Sequence, residues 1–272
     1  MISPGTRNSS QLHSDRLLAS LDDDALDSHY EVLTPRPASG YVLRPMTSRV
    51  GYSDWPALDT IMKEPPFPGL LEKRGGGLIG MDRATVAAKM RAYLDPAITF
   101  EQARVTNPAL ATDRARYMAK ATRQTAVETI GFVEGNVQRF CMSAFDIRWA
   151  YVTALRPMWN EPRPQLLHIL PDAKGFLVIR PQQIADPEGF PAYWTTCLAE
   201  DHALHKDGFL VPVVENLSGA PRPNLSESAV AYLANLGVEP SPAAAAILLH
   251  HALATLYSPA YLAENAGGLR QN

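Results

Sequence analysis

Residues 145–164 read Phe-Asp-Ile-Arg-Trp-Ala-Tyr-Val-Thr-Ala-Leu-Arg-Pro-Met-Trp-Asn-Glu-Pro-Arg-Pro and join a strand pattern to a proline-rich loop. From Ile147 to Val152, aliphatic or aromatic residues at every second position predict a half-buried strand. The prolines that follow cannot donate to a sheet, and each restrains the preceding residue to extended backbone. We therefore expect a stiff, exposed loop that presents Arg156 and Arg163. The aromatic side chains Trp149, Tyr151 and Trp159 are interpreted as core or loop anchors rather than as platforms for stacking bases.

Length and composition indicate a globular protein. The chain has 272 residues, of which 46% are hydrophobic, enough for one large or two modest domains with a real core. No apolar run approaches the roughly 20 residues that span a bilayer, and the first 20 residues have no apolar centre typical of a signal peptide. We expect a soluble, cytoplasmic protein without a membrane partner. Cys141 and Cys197 are too few for a disulfide framework and are predicted to be reduced core residues.

Charge is distributed unevenly along the chain. The formal net charge is −3, yet residues 66–180 hold 16 lysines and arginines against 10 aspartates and glutamates. Residues 181–272 hold 3 against 9. Such asymmetry indicates a region that binds a polyanion beside an acidic scaffold, or chance clustering on solvated helices.

The pattern of elements predicts an α+β fold. Asp82 should cap a helix, Thr99 and Gln102 should form a capping box, and a third helix is predicted over Thr112–Glu128. Strands follow, and Ser226, Ser241 and Ser258 should then begin three helices. We expect a basic helical and loop region to about residue 135, a central mixed β-sheet to about residue 216, and a C-terminal helical subdomain over residues 217–272. Residues 1–50 are interpreted as a tail or junction, and residues 51–216 as one region.

Two basic segments are candidates for contacting phosphate groups. Lys73 and Arg74 precede three glycines that would let backbone N–H groups approach an anion, although the run lacks the Gly-Lys-Ser/Thr ending of a P-loop. A plain flexible turn is the alternative. In the third helix, Arg116, Lys120 and Arg123 would form a basic stripe, which is either a solvated face or a surface that lies along a phosphate backbone.

No cluster of reactive side chains indicates a catalytic site. The seven histidines are scattered, and neither a Gly-x-Ser-x-Gly elbow nor a His-Glu-x-x-His helix is present. We assign no catalytic residue, metal ligand or cofactor to this chain, and whether it is an enzyme stays open.

Several short motifs occur in one order along the chain, although each alone is weak. They are Tyr30 to Pro35 with Trp55-Pro56, Phe67 to Gly69, Asp82-Arg83, Met90 to Pro96, Phe145 to Trp149 with Glu161 to Pro164, Pro223 to Ser226, Ser258 to Tyr261, and Glu264 to Gln271. The ordered set resembles the C-terminal specificity region of Type ISP restriction-modification enzymes. These are single polypeptides that combine nuclease, ATPase, adenine methyltransferase and target-recognition parts.

The resemblance implies sequence-specific recognition of double-stranded DNA, with methylation and cleavage carried out by domains absent from this chain. S-adenosylmethionine, ATP and Mg²⁺ would serve those domains only, and the methyltransferase domain would be a partner in cis or as a separate chain. Arginine reads guanine by two hydrogen bonds in the major groove. The candidate readers are Arg148, Arg156, Arg163 and Arg180. The alternative is a protein-interaction scaffold whose acidic C-terminal helices dock a partner without DNA binding.

Overall fold

The computed structural model describes residues 14–16, 18–19, 55–180, 191–204, 207–215 and 220–269. The expected tail over residues 1–50, including the motif at residues 30–35, therefore lies outside the described residues apart from 14–16 and 18–19. The division of the chain at residues 50 and 216 stays a prediction.

The described elements form an α+β fold, as predicted. In chain order they are α1 (Leu58–Ile61), β1 (Phe67–Pro68), β2 (Ile79–Gly80), α2 (Arg83–Leu94), α3 (Phe100–Thr106), α4 (Ala119–Thr129), β3 (Val137–Ser143), β4 (Asp146–Tyr151), α5 (Pro164–Ile169), β5 (Phe176–Ile179), β6 (Ala192–Thr195), β7 (Leu198–Ala199), β8 (Phe209–Pro212), β9 (Val214–Glu215), β10 (Arg222–Pro223), α6 (Glu227–Asn235), α7 (Pro242–Leu256) and α8 (Pro259–Leu269).

The predicted helix starts are confirmed where a side chain caps the first turn. Asp82 accepts a 2.7 Å hydrogen bond from the Thr85 N–H at the start of α2. Thr99 and Gln102 form the reciprocal capping box of α3. In the C-terminal part, Ser241 accepts from the Ala244 N–H, with proline following as the first helical residue of α7. Such caps satisfy N–H groups that have no partner within the helix, so they fix where it begins.

The third predicted helix is shorter than expected, because α4 begins at Ala119. Before it, Arg114 and Tyr117 exchange two backbone hydrogen bonds of 3.0 and 2.8 Å, which makes a tight turn and buries the Tyr117 ring. The Asp113 carboxylate then accepts from the Ala119 N–H at 2.7 Å. Arg116 consequently lies outside the helix, and the predicted basic stripe over residues 116–123 does not form.

The strands form two four-stranded sheets rather than one central sheet. The order β1-β8-β5-β6 is antiparallel throughout, whereas β2-β4-β3-β7 contains the parallel pair β3 and β7. A third sheet pairs β9 with β10. Residues 192–199 divide between the two larger sheets. The Cys197 N–H donates to the Thr195 hydroxyl at 3.2 Å, and the chain crosses there from β6 to β7. This crossing ties the two sheets together.

Two apolar clusters hold the described elements together. One lies between α2, α3, α4 and the sheet β2-β4-β3-β7, and it includes Tyr151, Trp159 and Cys141. The other joins the sheet β1-β8-β5-β6 to α6 and α7. Burial of each large apolar side chain contributes about 1.5–3 kcal/mol to the free energy of unfolding. Tyr151 and Trp159 are therefore core residues, as predicted, and both cysteines are buried and free.

Among the described helices, none combines the length and apolarity that crossing a membrane requires.

Candidate nucleic-acid interface

The glycine-rich loop, residues 69–78, is organised by the buried carboxylate of Glu72. One carboxylate oxygen accepts from the backbone N–H groups of Arg74 at 3.2 Å and Gly76 at 2.9 Å. The other oxygen accepts from the Leu78 N–H at 3.0 Å. Lys73, Gly75 and Gly76 adopt positive φ angles of 48°, 68° and 78°, so the chain turns tightly around this carboxylate. The loop has a defined backbone geometry, in place of the plain flexible turn that the sequence left open.

Arg74 points into the protein and joins three segments. Its side chain donates to the Pro157 carbonyl at 2.9 and 2.6 Å and to the Lys73 carbonyl at 3.0 Å. The guanidinium carbon lies 4.5 Å from the centre of the Tyr117 ring. Only 4% of the residue is exposed, and this burial lowers the pKa of the guanidinium below its ordinary value. Arg74 thereby links the glycine-rich loop, the proline-rich loop and the turn before α4.

The glycine-rich and proline-rich loops also pair through their backbones. Leu71 and Glu161 exchange two hydrogen bonds of 3.0 Å, and the Arg163 side chain donates to the Gly69 carbonyl at 3.1 Å. The proline-rich loop ends at Arg163, since Pro164 is the first residue of α5. Two segments that the sequence singled out separately, almost 80 residues apart, therefore form one surface.

Exposed cations lie on the three segments that meet at Arg74. We call them the loop rim: Lys73, Arg114, Arg116 and Arg156. A Cβ placed on Gly75 would lie 2.6 Å from the Arg114 guanidinium, which locates Arg114 directly beside the glycine-rich loop. Sequence reasoning missed Arg114, because a helix over residues 112–128 would have put it on a different face from Arg116.

Three candidate guanine readers form ion pairs, and two of them, Arg156 and Arg163, lie on this surface. Arg156 lies 2.8 Å from Glu161, and Arg163 lies 3.5 Å from Glu161 and 3.7 Å from Asp201. On β4, Arg148 makes hydrogen bonds of 2.5–3.0 Å to Asp146, which lower the pKa of that carboxyl and raise the pKa of the guanidinium. Partly exposed pairs of this kind stabilise a protein by only about 0–1 kcal/mol, so an anionic ligand can replace the carboxylate at little cost.

The remaining predicted residues lie elsewhere. Arg123 is buried and donates to three backbone carbonyls, one in the last turn of α2 and two just after it. Lys120 is exposed on the first turn of α4. Arg180 follows β5 and lines a pocket of about 980 Å³ together with Trp55, Tyr232 and other residues of the C-terminal helices. The structure thus brings the two loops that carry Lys73, Arg74, Arg156 and Arg163 together. Arg116 lies in the turn whose Tyr117 ring packs against Arg74, and Arg123 and Arg180 lie in other parts of the fold.

No protein-family model matches the sequence, and no curated protein matches it. The fold, in contrast, matches parts of larger solved structures at 13% sequence identity. One is a DrdV–DNA complex determined by cryo-electron microscopy, with a TM-score of 0.57 over 95% of this chain and 27% of that chain. Another is a nuclease-deletion mutant of the Type ISP restriction-modification enzyme LlaGI in complex with a DNA substrate mimic, with a TM-score of 0.52 over 93% of this chain and 23% of that chain. A third is the ATP-dependent Type ISP restriction-modification enzyme LlaBIII bound to DNA, with a TM-score of 0.54 over 90% of this chain and 16% of that chain. The chain shares its fold with a part of Type ISP restriction-modification enzymes and spans at most 27% of these solved chains.

Proposed function

We propose that this chain recognises a target sequence in double-stranded DNA on behalf of a restriction-modification system. The observation that carries the proposal is the surface formed by the glycine-rich and proline-rich loops, which Arg74 joins and the loop rim surrounds with positive charge. Further support comes from the shared fold, because the matched proteins were solved with DNA or a DNA mimic.

The two kinds of cation on this surface have different roles in the proposal. Rim residues such as Lys73, Arg114 and Arg116 bind phosphate groups, which gives affinity that falls with salt and does not depend on sequence. Arg156 and Arg163 lie on the stiff loop and are proposed to read guanine, each contributing about 1–3 kcal/mol of discrimination. Arg74 positions the loops and does not contact DNA in this proposal.

The chemical steps belong to other domains in this proposal. A methyltransferase domain, in cis or as a separate chain, is the proposed partner. S-adenosylmethionine, ATP and Mg²⁺ are assigned to those domains and not to this chain. Since the substrate is intracellular DNA, the proposed place of action is the cytoplasm.

The loop rim should determine the salt dependence of binding. We expect the triple variant Lys73→Gln, Arg114→Gln, Arg116→Gln to reduce the slope of log affinity against log salt by about three units, one for each phosphate contact. Fluorescence anisotropy of the purified chain with a randomised duplex pool measures this slope. The matched control is Arg104→Gln, Lys174→Gln, Arg222→Gln, which removes the same charge elsewhere. If both triple variants reduce the slope equally, binding depends on net charge alone and not on the loop rim.

Arg156 should discriminate between bases. We expect Arg156→Lys, which keeps the charge but loses the two-pronged donor, to reduce the preference for the best duplex over a single mismatch by about 5- to 150-fold. Competition binding with the duplex that a randomised pool enriches most strongly provides the measurement. An unchanged preference would remove Arg156 from the proposed readers.

A protein-interaction scaffold is the second candidate function. Its supporting observation is a set of exposed large apolar side chains on and after the C-terminal helices: Tyr232, Leu236, Val238, Ile247, Tyr257 and Leu262. A pure scaffold should not retard DNA in a low-salt mobility shift, whereas a recognition module should.

A further inference from the structure

Three arginines converge on two aromatic rings beside the sheet β2-β4-β3-β7. The guanidinium carbons of Arg83 and Arg139 lie 5.8 and 5.2 Å from the centre of the Trp149 ring. The guanidinium carbon of Arg91 lies 4.7 Å from the centre of the Phe132 ring. We call these five residues the arginine–aromatic cluster. None of these residues has a role in the DNA recognition proposed for the two loops.

The strand register explains why the cluster forms. Arg139 on β3 stands directly opposite Trp149 on β4, so their side chains lie on the same face of the sheet. On the other side of β4, Gly80 of β2 also stands opposite Trp149. The chain then enters α2 at Arg83, three residues later, which brings this guanidinium to the same ring.

The cluster carries excess positive charge. Glu134 bridges Arg83 at 2.8 Å and Arg91 at 2.9 Å. Among the described residues, no carboxylate forms an ion pair with Arg139. Three guanidiniums therefore face a single carboxylate, and the side chains of Arg83 and Arg91 are 45% and 63% exposed. Pairing with Glu134 alone leaves this surface cationic.

The manner in which the guanidiniums are held suits an oxygen anion. An arginine that stacks on an aromatic face keeps its plane fixed without using its N–H donors. Those donors match the geometry of phosphate, and fixing them beforehand reduces the entropy lost on binding. Trp149 is half-buried with arginines over its ring, so it acts as a holder for the cations rather than as a stacking platform.

The cluster also lies within reach of the loop surface. The seven-residue step from Trp149 to Arg156 spans at most about 25 Å. That length corresponds to about seven base pairs at 3.4 Å each. One duplex of ordinary length is therefore long enough to reach from one place to the other.

We propose that the arginine–aromatic cluster binds phosphate groups of the same DNA duplex that the loop surface recognises, in a sequence-independent manner. This inference rests on the proposed function, because it needs the chain to bind DNA. The cluster adds affinity, and the loops supply the discrimination between sequences.

The test uses the double variant Arg83→Gln, Arg139→Gln in the complete chain. We expect the slope of log affinity against log salt to fall by about two units. Affinity should fall by the same factor for the best duplex and for a single mismatch, so that their ratio is unchanged. The matched control is Arg104→Gln, Lys174→Gln, which removes two exposed charges elsewhere. It also removes one cation–aromatic pair on α3, where Arg104 lies 5.3 Å from the Phe100 ring. Arg83→Lys, Arg139→Lys should keep most of the slope, because the charge remains.

The outcomes separate this inference from the proposed function. If the wild-type chain binds DNA but the double variant keeps the wild-type slope, as the control should, the cluster is not a phosphate site and the proposed function stands. If the ratio between duplexes also collapses, the cluster reads bases and the sequence-independent assignment is wrong. If the wild type binds no duplex at low salt, both proposals fail. Should the double variant unfold, Arg139→Gln alone, which breaks no described ion pair, must lower the slope by about one unit.

Discussion

Glu72→Gln is expected to lower the free energy of unfolding by about 2–4 kcal/mol, because each hydrogen bond to a charged acceptor contributes about 1.5–3 kcal/mol and a buried N–H without an acceptor is costly. The two carboxylate oxygens accept from three backbone N–H groups of the glycine-rich loop. Glutamine has one acceptor oxygen, and its NH₂ group would face at least one of these N–H donors. Chemical denaturation monitored by circular dichroism measures the loss.

Glu134→Gln is the matched control for this change. Glu134 is half-exposed and bridges two exposed arginines, so its replacement should cost no more than about 1 kcal/mol. Similar losses for the two variants would contradict the role of Glu72 as the organiser of the loop.

Arg123→Ala is expected to cost about 3 kcal/mol of stability, because it leaves buried carbonyl groups without donors. The Arg123 side chain donates to Tyr93 at 2.8 Å, Asp95 at 2.9 Å and Ile98 at 2.6 Å, and only 9% of the residue is exposed. These bonds tie α4 to the C-terminal end of α2, where helix carbonyls have no partner within the helix.

Lys120→Ala provides the comparison on the same helix. Lys120 is exposed one turn earlier, so its loss should change stability by no more than about 0.5 kcal/mol. A difference below 1 kcal/mol between the two variants would contradict the structural role of Arg123.

The sequence predicted those helix starts and strands that depend on residues close together in the chain. The capping box of Thr99 and Gln102 involves residues three apart, and the strand pattern from Ile147 is set by neighbouring side chains. The predicted helix over residues 112–128 was wrong in its first half. There, burial of Tyr117 and the hydrogen bond from the Ala119 N–H to the Asp113 carboxylate override helical propensity. Propensity is a weak guide wherever tertiary packing opposes it.

The sequence predicted which two loops belong to the candidate site, but not how they contact each other. The sequence identified both loops, yet their contact depends on backbone pairing between Leu71 and Glu161, which no local pattern encodes. It also could not separate Arg74, whose donors reach the carbonyl of Pro157, from exposed cations such as Arg116. Charge alone does not tell an inward-facing arginine from an outward-facing one, since both carry the same sequence signal.

The central claim is that the isolated chain recognises a DNA sequence. The most direct measurement incubates the purified chain with a randomised duplex pool across a salt series and sequences the retained fraction. We expect retention that weakens with salt and enriches one short motif. Retention without an enriched motif, or no retention even at low salt, would contradict it.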